Sequence, residues 1–396
     1  MDVRVSGPVR IMNWPLMRNN ITHADKVAVM EFLAGEHIPR FTQGDQVSAF
    51  EREFAFWLGS KYAVMVNSGS SANLITMAAL KEYRGLGEII VPTICWSSDI
   101  MSVLHAGFTP VFVDINPRTL GMDMREVFKK ITKNTKAVFV THVLGFNALT
   151  EDIRDRLAAM RIELIEDCCE AIGATMGDKK LGTFGLASNF SFYYAHHMST
   201  IEGGMVCTDD EKFYQYLRQL RSHGLVRERT DEANKRDLEA ARQDLDPQFI
   251  FSLPSYNVRS TEINAVIGRS QLKRLPDRVW RRSANFEHWL ANLGAHYFTD
   301  FWKEGSSNYA LPLVLRQPDD KLMRRVLDCL QANGVEYRRG TAGGGNQLRQ
   351  PYLRRMNNLL EFPHTEHVHF FGLYIGNYPD LETSQIEELC QKLNAL

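Results

Sequence analysis

The chain has 396 residues, 44% of them hydrophobic and 23% charged, the composition of a soluble globular protein long enough for two cores. A formal net charge of −1 removes the electrostatic case for nucleic acid or an anionic membrane surface as a partner, and no long apolar run behind a basic segment marks a signal peptide or a membrane span. Six cysteines without C-x-x-C spacing make neither a disulfide framework nor a structural zinc site, so a reducing cytoplasm is the expected compartment.

Residues 1–40 carry little periodicity, and an irregular arm with one helix near Lys26–Phe32 is expected. In Asp45–Leu58, Val47, Phe50, Phe54 and Trp57 recur at helical spacing, and Gly59 is placed to end the helix. Short runs rich in Val, Ile and Phe follow at Tyr62–Val66, Glu88–Pro92, Thr109–Asp114, Lys136–Val143 and Glu163–Asp167. Helical stretches such as Ala72–Tyr83 and Met124–Lys130 lie between them. This alternation predicts an α/β fold, a mostly parallel sheet covered by helices on both faces, with sites at the carboxyl ends of its strands. Val226–Gln248 is almost entirely charged and polar and reads as a solvated helix or excursion. The composition changes from Phe249, which predicts two domains: residues 1–248 with the amino-terminal arm, and a smaller α+β domain over residues 249–396. The smaller one is expected to hold helices at Thr261–Leu275 and Asp319–Asn333 and a strand at Tyr309–Leu315.

Several motifs fall where strands end. Gly69 and Ser70, in N-S-G-S-S-A, follow one strand and open a helix; the segment reads either as a phosphate cradle of backbone N–H groups or as N-capping by Ser70 or Ser71. Trp96 follows the strand ending at Pro92 and is either a stacking surface for a flat heteroaromatic ring or a core residue. Glu166, Asp167 and Glu170 close another strand, where buried acids need a positive partner. That partner is either an Arg or Lys, or a protonated pyridine nitrogen. The triplet His364, His367 and His369 does not share one helical face, and no metal site is expected.

Asn189–Cys207 reads N-F-S-F-Y-Y-A-H-H-M-S-T-I-E-G-G-M-V-C. It resembles the cofactor-lysine segment, F-S-F-x-x-x-K-x-L-x-x-G-E-G-G, of the DegT/DnrJ/EryC/StrS-type sugar aminotransferases, members of the aspartate aminotransferase superfamily of fold type I. The stretches V-P-x-x-x-W-S, P-V-F-V-D-I, I-E-D-C and R-S-H-G extend the likeness, as does Tyr256–Ile263, which is similar to N-Y-R-M-T-E-I. Together they span roughly Phe41 to Leu275. The resemblance implies a homodimer with shared active sites and a pyridoxal 5'-phosphate pocket built from Gly69, Ser70, Trp96, Asp167, Glu170 and Ser191. Asn257 is then lent to the neighbouring subunit's phosphate. Arg259 is a candidate substrate contact, and His223 reads equally as a substrate contact or as structural.

One departure decides the chemistry. The lysine's position holds His196, and no lysine lies between Lys180 and Lys212. An imidazole forms no stable Schiff base, so the cofactor is expected to be held without a covalent bond, with pyridoxamine 5'-phosphate as a natural resident. Histidine titrates near neutrality and can take a proton from one atom and deliver it to another. The segment is similar to that of a lysine-less branch containing nucleotide-sugar 3-dehydratases of the colitose pathway of O-antigen biosynthesis. That likeness implies a lyase that takes a nucleotide-linked 4-keto-6-deoxy sugar, GDP-4-keto-6-deoxy-D-mannose, with L-glutamate as amino donor, release of ammonia, and His196 as the single acid/base. A nucleotide-sugar aminotransferase working without the lysine and an inactive cofactor-binding protein are the alternatives. A related branch that uses an iron–sulfur centre needs four cysteine ligands, whereas only Cys207, Cys329 and Cys390 follow His196.

Overall fold

The computed structural model describes residues 12–36, 40–353 and 361–396. In chain order its first half comprises α1 (His23–Ala34), α2 (Asp45–Leu58), β1 (Tyr62–Val66), α3 (Gly69–Arg84), β2 (Glu88–Pro92), α4 (Ser97–Ala106), β3 (Thr109–Val113), α5 (Met124–Lys130), β4 (Thr135–Thr141), α6 (Ile153–Ala159) and β5 (Glu163–Asp167). A two-stranded hairpin, β6 (Thr175–Met176) and β7 (Lys179–Lys180), precedes β8 (Ala187–Ser191), β9 (Gly204–Thr208), α7 (Glu211–Arg221), α8 (Glu232–Ala240), α9 (Glu262–Leu272) and α10 (Leu275–Asn292). The remainder is β10 (Ala310–Val314), α11 (Asp320–Ala332), β11 (Tyr337–Arg339), α12 (Pro363–Phe371), β12 (Gly372–Gly376) and α13 (Thr383–Asn394). Part of the expected amino-terminal arm, residues 1–11 and 37–39, lies outside the described residues.

The central sheet has seven strands in the order β1-β9-β8-β5-β4-β2-β3, and β9 alone runs antiparallel to its neighbours. Both of its faces are apolar because successive side chains point to opposite sides. Ala63, Met65, Ile90, Val138, Val140 and Leu164 pack one core, while Val64, Val66, Ile89, Val91, Ala137, Phe139 and Ile165 pack the other. Helix α2 closes the first core with Val47, Phe50, Phe54 and Leu58, each worth roughly 1.5–3 kcal/mol of burial. It ends where Gly59 turns to φ +96° and returns its N–H to the Ala55 carbonyl at 2.9 Å.

A second sheet, β10-β12-β11, is antiparallel throughout and shares a third core with α10, α11, α13 and Trp14 of the amino-terminal segment. The strand runs at Tyr62–Val66, Glu88–Pro92 and Glu163–Asp167 and the helices Asp45–Leu58 and Met124–Lys130 take the expected bounds. Helix α3 begins earlier than its apolar pattern, because Ser68 rather than Ser70 or Ser71 caps it: the Ser71 N–H donates to Ser68 Oγ at 3.0 Å. Val226–Gln248 contains the solvated α8, which buries none of its residues.

Candidate active site

The carboxyl ends of β1, β2, β4, β5 and β8 meet at one edge of the central sheet, and the second sheet faces them across a cavity of about 250 Å³. The cavity is lined from below by Gly69, Ser70, Trp96, Asp167, Glu170, Ser191 and His196, and from above by Tyr309, Arg338 and Tyr374. These strand ends come together because the sheet order differs from the chain order, with antiparallel β9 set between β1 and β8.

Gly69 opens α3 pressed against the ends of β5 and β8: a Cβ there would stand 2.6 Å from Ser191 Cβ and 2.9 Å from Cys169 Sγ. Only a glycine lets the helix start approach so closely. The first-turn amides of Gly69 and Ser70 are left without intrahelical partners and, with the Ser70 and Ser191 hydroxyls, make a concave set of donors suited to a phosphate. Trp96 is 48% exposed at the cavity wall, which rules out a buried core role.

Asp167 is 4% exposed. Its Oδ2 accepts from Asn73 Nδ2 at 2.8 Å and its Oδ1 from the Cys169 N–H at 2.8 Å. Among the described residues no Arg or Lys pairs with it, so the ion-pair alternative fails. Its neighbour Glu166 points to the other face and is fully buried, accepting the N–H groups of Gly182, Phe184 and Gly185 at 2.7–2.9 Å with His142 Nε2 at 3.3 Å. His142, Glu166 and Cys168 come within metal-ligand reach of one another, but His142 Nδ1 accepts from the Ala148 N–H at 3.2 Å and Glu166 is already saturated. That trio is structural. Glu170 accepts the Leu144 N–H at 2.7 Å, and burial together with the Asp167 charge raises it to about 7.

His196 sits in the connection between β8 and β9, closed at its base by Phe192 N–H to Gly203 O and Thr200 N–H to Phe192 O, both 2.9 Å. Asn20 donates to the His196 carbonyl at 3.1 Å, and Gln271 of α9 accepts the Ser199 N–H at 3.0 Å. The imidazole is 9% exposed, its Nδ1 is buried without a partner, and the Tyr309 ring stacks on it. Burial and the nearby Arg282 guanidinium lower its pKa to about 4. His197 does not line the cavity; its Nε2 lies 3.0 Å from the Ser307 carbonyl oxygen and 2.9 Å from the Ser307 hydroxyl.

Asn257, Arg259 and His223 do not line this chain's cavity. Asn257 is exposed and bridges to Ser222, Arg259 Nε donates to Ser222 Oγ at 3.0 Å, and His223 is exposed at φ +61° with its N–H on the Tyr256 carbonyl at 2.7 Å. The glycine-rich run Thr341–Asn346 packs on the turn after β2, where a Cβ on Gly343 would stand 2.0 Å from Cys95 O. Of the histidine triplet, His367 bonds the Leu315 carbonyl and His369 accepts the Asn346 N–H. Tyr309 and Tyr374 are cavity residues that the motifs did not announce, while Arg338, one of the arginines flanking that glycine-rich run, lines the cavity with them. Among the described lining residues Arg338 is the Arg or Lys side chain, and its charge acts on Glu170.

The family model described as the DegT/DnrJ/EryC1/StrS aminotransferase family matches residues 20–394. GDP-4-keto-6-deoxy-D-mannose 3-dehydratase of Escherichia coli O55:H7 is 33% identical over 383 residues, covering 93% of this chain and 96% of that one. The enzyme of the same name from Yersinia pseudotuberculosis is 32% identical over 398 residues, covering 96% and 98%. A crystal structure of GDP-4-keto-6-deoxymannose-3-dehydratase with a trapped PLP-glutamate geminal diamine superposes with a TM-score of 0.85 at 32% identity, covering 96% of this chain and 100% of that one. The expected α/β fold of the aminotransferase type is thereby confirmed.

Proposed function

Because the chain belongs to the DegT/DnrJ/EryC1/StrS aminotransferase family, we propose that it is a pyridoxal/pyridoxamine 5'-phosphate-dependent 3-dehydratase of a nucleotide-linked 4-keto-6-deoxy sugar, GDP-4-keto-6-deoxy-D-mannose, with L-glutamate as amino donor. The observation that carries this reading is His196: a buried imidazole lining the cavity stands where a transaminating member needs a lysine, and among the described residues no lysine lines that cavity. The names of the relatives support the sugar and the glutamate.

The residues present fit the cofactor. A helix start stripped of Cβ, two serine hydroxyls, an exposed indole and a carboxylate with no cation are the partners a phosphate, a flat ring and a protonated ring nitrogen require. Gly69, Ser70 and Ser191 would hold the phosphate, Trp96 the ring face, Asp167 the ring nitrogen and Glu170 the ring's polar edge. When bound, the aminated cofactor supplies an amine for the sugar ketone and a ring able to accept electrons. His196, kept neutral by burial and lining the cavity, is ready to take a proton there. The imidazolium so formed, disfavoured by burial, gives the same proton to the departing hydroxyl on sugar carbon 3. Tyr309 fixes the ring plane through both transfers, and Arg338 offers the cavity's positive charge to a substrate carboxylate or phosphate. Asn257 and His223, exposed and away from this chain's cavity, are placed in the reading as contributions to a neighbouring subunit's site in a homodimer.

The deciding assay incubates the protein with pyridoxamine 5'-phosphate, L-glutamate and GDP-4-keto-6-deoxy-D-mannose and follows ammonia and the sugar product by NMR. A 3-deoxy-4-keto sugar with one ammonia released per turnover is expected. A stable amino sugar instead would move the chain to the aminotransferases, and no turnover with any keto sugar would leave a binding protein. His196→Lys is expected to attach the cofactor covalently, seen as a reducible, gel-filtration-stable chromophore, and to release no ammonia.

A further inference from the structure

Behind Asp167 lies a second carboxyl that the proposed reaction does not use. Asp99, in the first turn of α4, is 0% exposed. Its Oδ2 accepts from Thr141 Oγ1 at 2.6 Å and its Oδ1 from Asn73 Nδ2 at 2.9 Å. The same amide nitrogen donates to Asp167 Oδ2 at 2.8 Å, so one asparagine clamps both acids. The two carboxyl groups themselves lie within hydrogen-bonding reach.

The ionisable groups facing this pair from the surrounding elements are acidic or neutral: Glu170 beyond β5, the Cys95 thiol before α4, the Cys169 thiol after β5, and the Tyr352 phenol. Two carboxyls in contact away from water cannot both be ionised. Asp99 is the deeper of the two, and burial with the Asp167 charge pushes it well above the usual carboxylate range. Asp167 opens on the cavity and is the one available to a ligand.

We propose that Asp99 is a protonated positioning acid: its hydroxyl donates to Asp167 from behind and sets the basicity of the carboxylate that meets the cofactor's ring nitrogen. With Asn73 and the Cys169 N–H, the Asp167 carboxylate then receives three donors, which stabilise its charge and leave the proton on the ring rather than on itself. The proposal rests on the role given to Asp167 above, but the proton on Asp99 is a property of the protein alone.

Infrared spectroscopy of the cofactor-free protein, grown on carbonyl-labelled aspartate, tests that proton at near-neutral pH. A protonated-carboxyl band that disappears in Asp99→Asn and persists in Glu170→Gln is expected; a spectrum with no band dependent on residue 99 overturns the proposal. On the cofactor-loaded protein the pH titration of the chromophore supplies the second readout. Asp99→Asn, whose amide still donates to Asp167, is expected to keep the midpoint, and Asp99→Ala to move it by about one pH unit, tenfold in the proton equilibrium. Asp99→Ser makes the same comparison if the alanine variant does not fold, and an unmoved midpoint in both overturns the proposal. Failure of the dehydration assay with the infrared band intact would sink the reaction assignment and not the acid pair.

Discussion

Tyr309 stacks on His196, their ring centroids 5.1 Å apart and their planes inclined by 29°. The phenol comes from the segment leading into β10 and the imidazole from the loop between β8 and β9, so the contact joins the second sheet to the cavity edge of the first. In the proposed role, an acid/base that must reach two different atoms needs its ring plane fixed, and this stack supplies that constraint. Tyr309→Phe keeps the ring and is expected to retain most of kcat. Tyr309→Ala frees the imidazole and should lower kcat by about 10–100-fold with KM little changed, since small displacements of a reacting group cost that much. Steady-state kinetics of the two variants side by side make the check.

The two titrating groups of the cavity oppose each other across one pH window. Burial lowers His196 from 6.5 to about 4, so its contribution to stability is present above 6.5 and lost as pH falls toward 4. Burial raises Glu170 from 4.5 to about 7, so the folded form binds the extra proton and stability falls as pH rises from 4.5 to 7. In the cofactor-free protein Glu170→Gln should therefore gain on the parent by about 1–2 kcal/mol across that rise, after allowance for its opening on to the cavity. His196→Asn should gain on the parent as pH falls from 6.5 to 4. Urea denaturation at a series of pH values reads both slopes; slopes of the same sign would contradict the assignment.

Arg338 is the cation on a cavity wall that otherwise carries carboxylates, and its guanidinium stands 3.5 Å from the Tyr374 hydroxyl. Removing a charged hydrogen-bond donor from an anionic ligand costs about 1.5–3 kcal/mol. Arg338→Gln is accordingly expected to raise the KM for L-glutamate or for the nucleotide sugar by roughly 10–100-fold, with Arg338→Lys in between. Separate saturation curves for the two substrates identify which of them it meets, and unchanged curves for both would remove it from the site.

Gly69→Ala places a methyl against Ser191 and Cys169 where the helix start must stay close to the ends of β5 and β8. The helix itself gains a better helix former, so circular dichroism should be unchanged, whereas cofactor affinity measured by equilibrium dialysis should fall about 10–100-fold as the donors of the cradle move apart. Undiminished affinity would place the phosphate elsewhere.

The lower half of this site was legible before the fold was known, because its residues follow apolar runs and the sheet puts those run ends side by side. Strand bounds at Tyr62–Val66 and Glu163–Asp167 follow from Val, Ile and Leu crowding; Gly69 opens the helix that follows the first and Asp167 ends the second. The upper half was less legible, with only Arg338 standing beside a motif, the glycine-rich run Thr341–Asn346. Tyr309, Arg338 and Tyr374 sit on or beside β10, β11 and β12, three strands whose pairing joins segments far apart in the chain, and no local pattern says which of their side chains turn toward the first sheet. The capping of α3 by Ser68 was missed for a related reason: three serines in four residues offer equal local propensity, and close packing at Gly69 selects among them. Trp96 shows the reverse, since its half-exposure is set by the cavity rather than by its flanking residues.

His196, the residue proposed to carry the proton, lies on a loop whose two ends are neighbouring strands, Ser191 facing Gly204 across the ladder, with cross-links closing the neck just beyond. Such a loop behaves as an exchangeable tip on a fixed handle. Of the contacts proposed for the phosphate, the ring and the ring nitrogen, Ser191 stands at the handle and the others on neighbouring α3, β5 and the turn after β2, so a change of one side chain at the tip is expected to redirect the outcome of the proposed reaction without disturbing what binds there. Specialisation among proteins of this shape then requires no new scaffold and no new pocket, only a different group presented at one point on an unchanged frame.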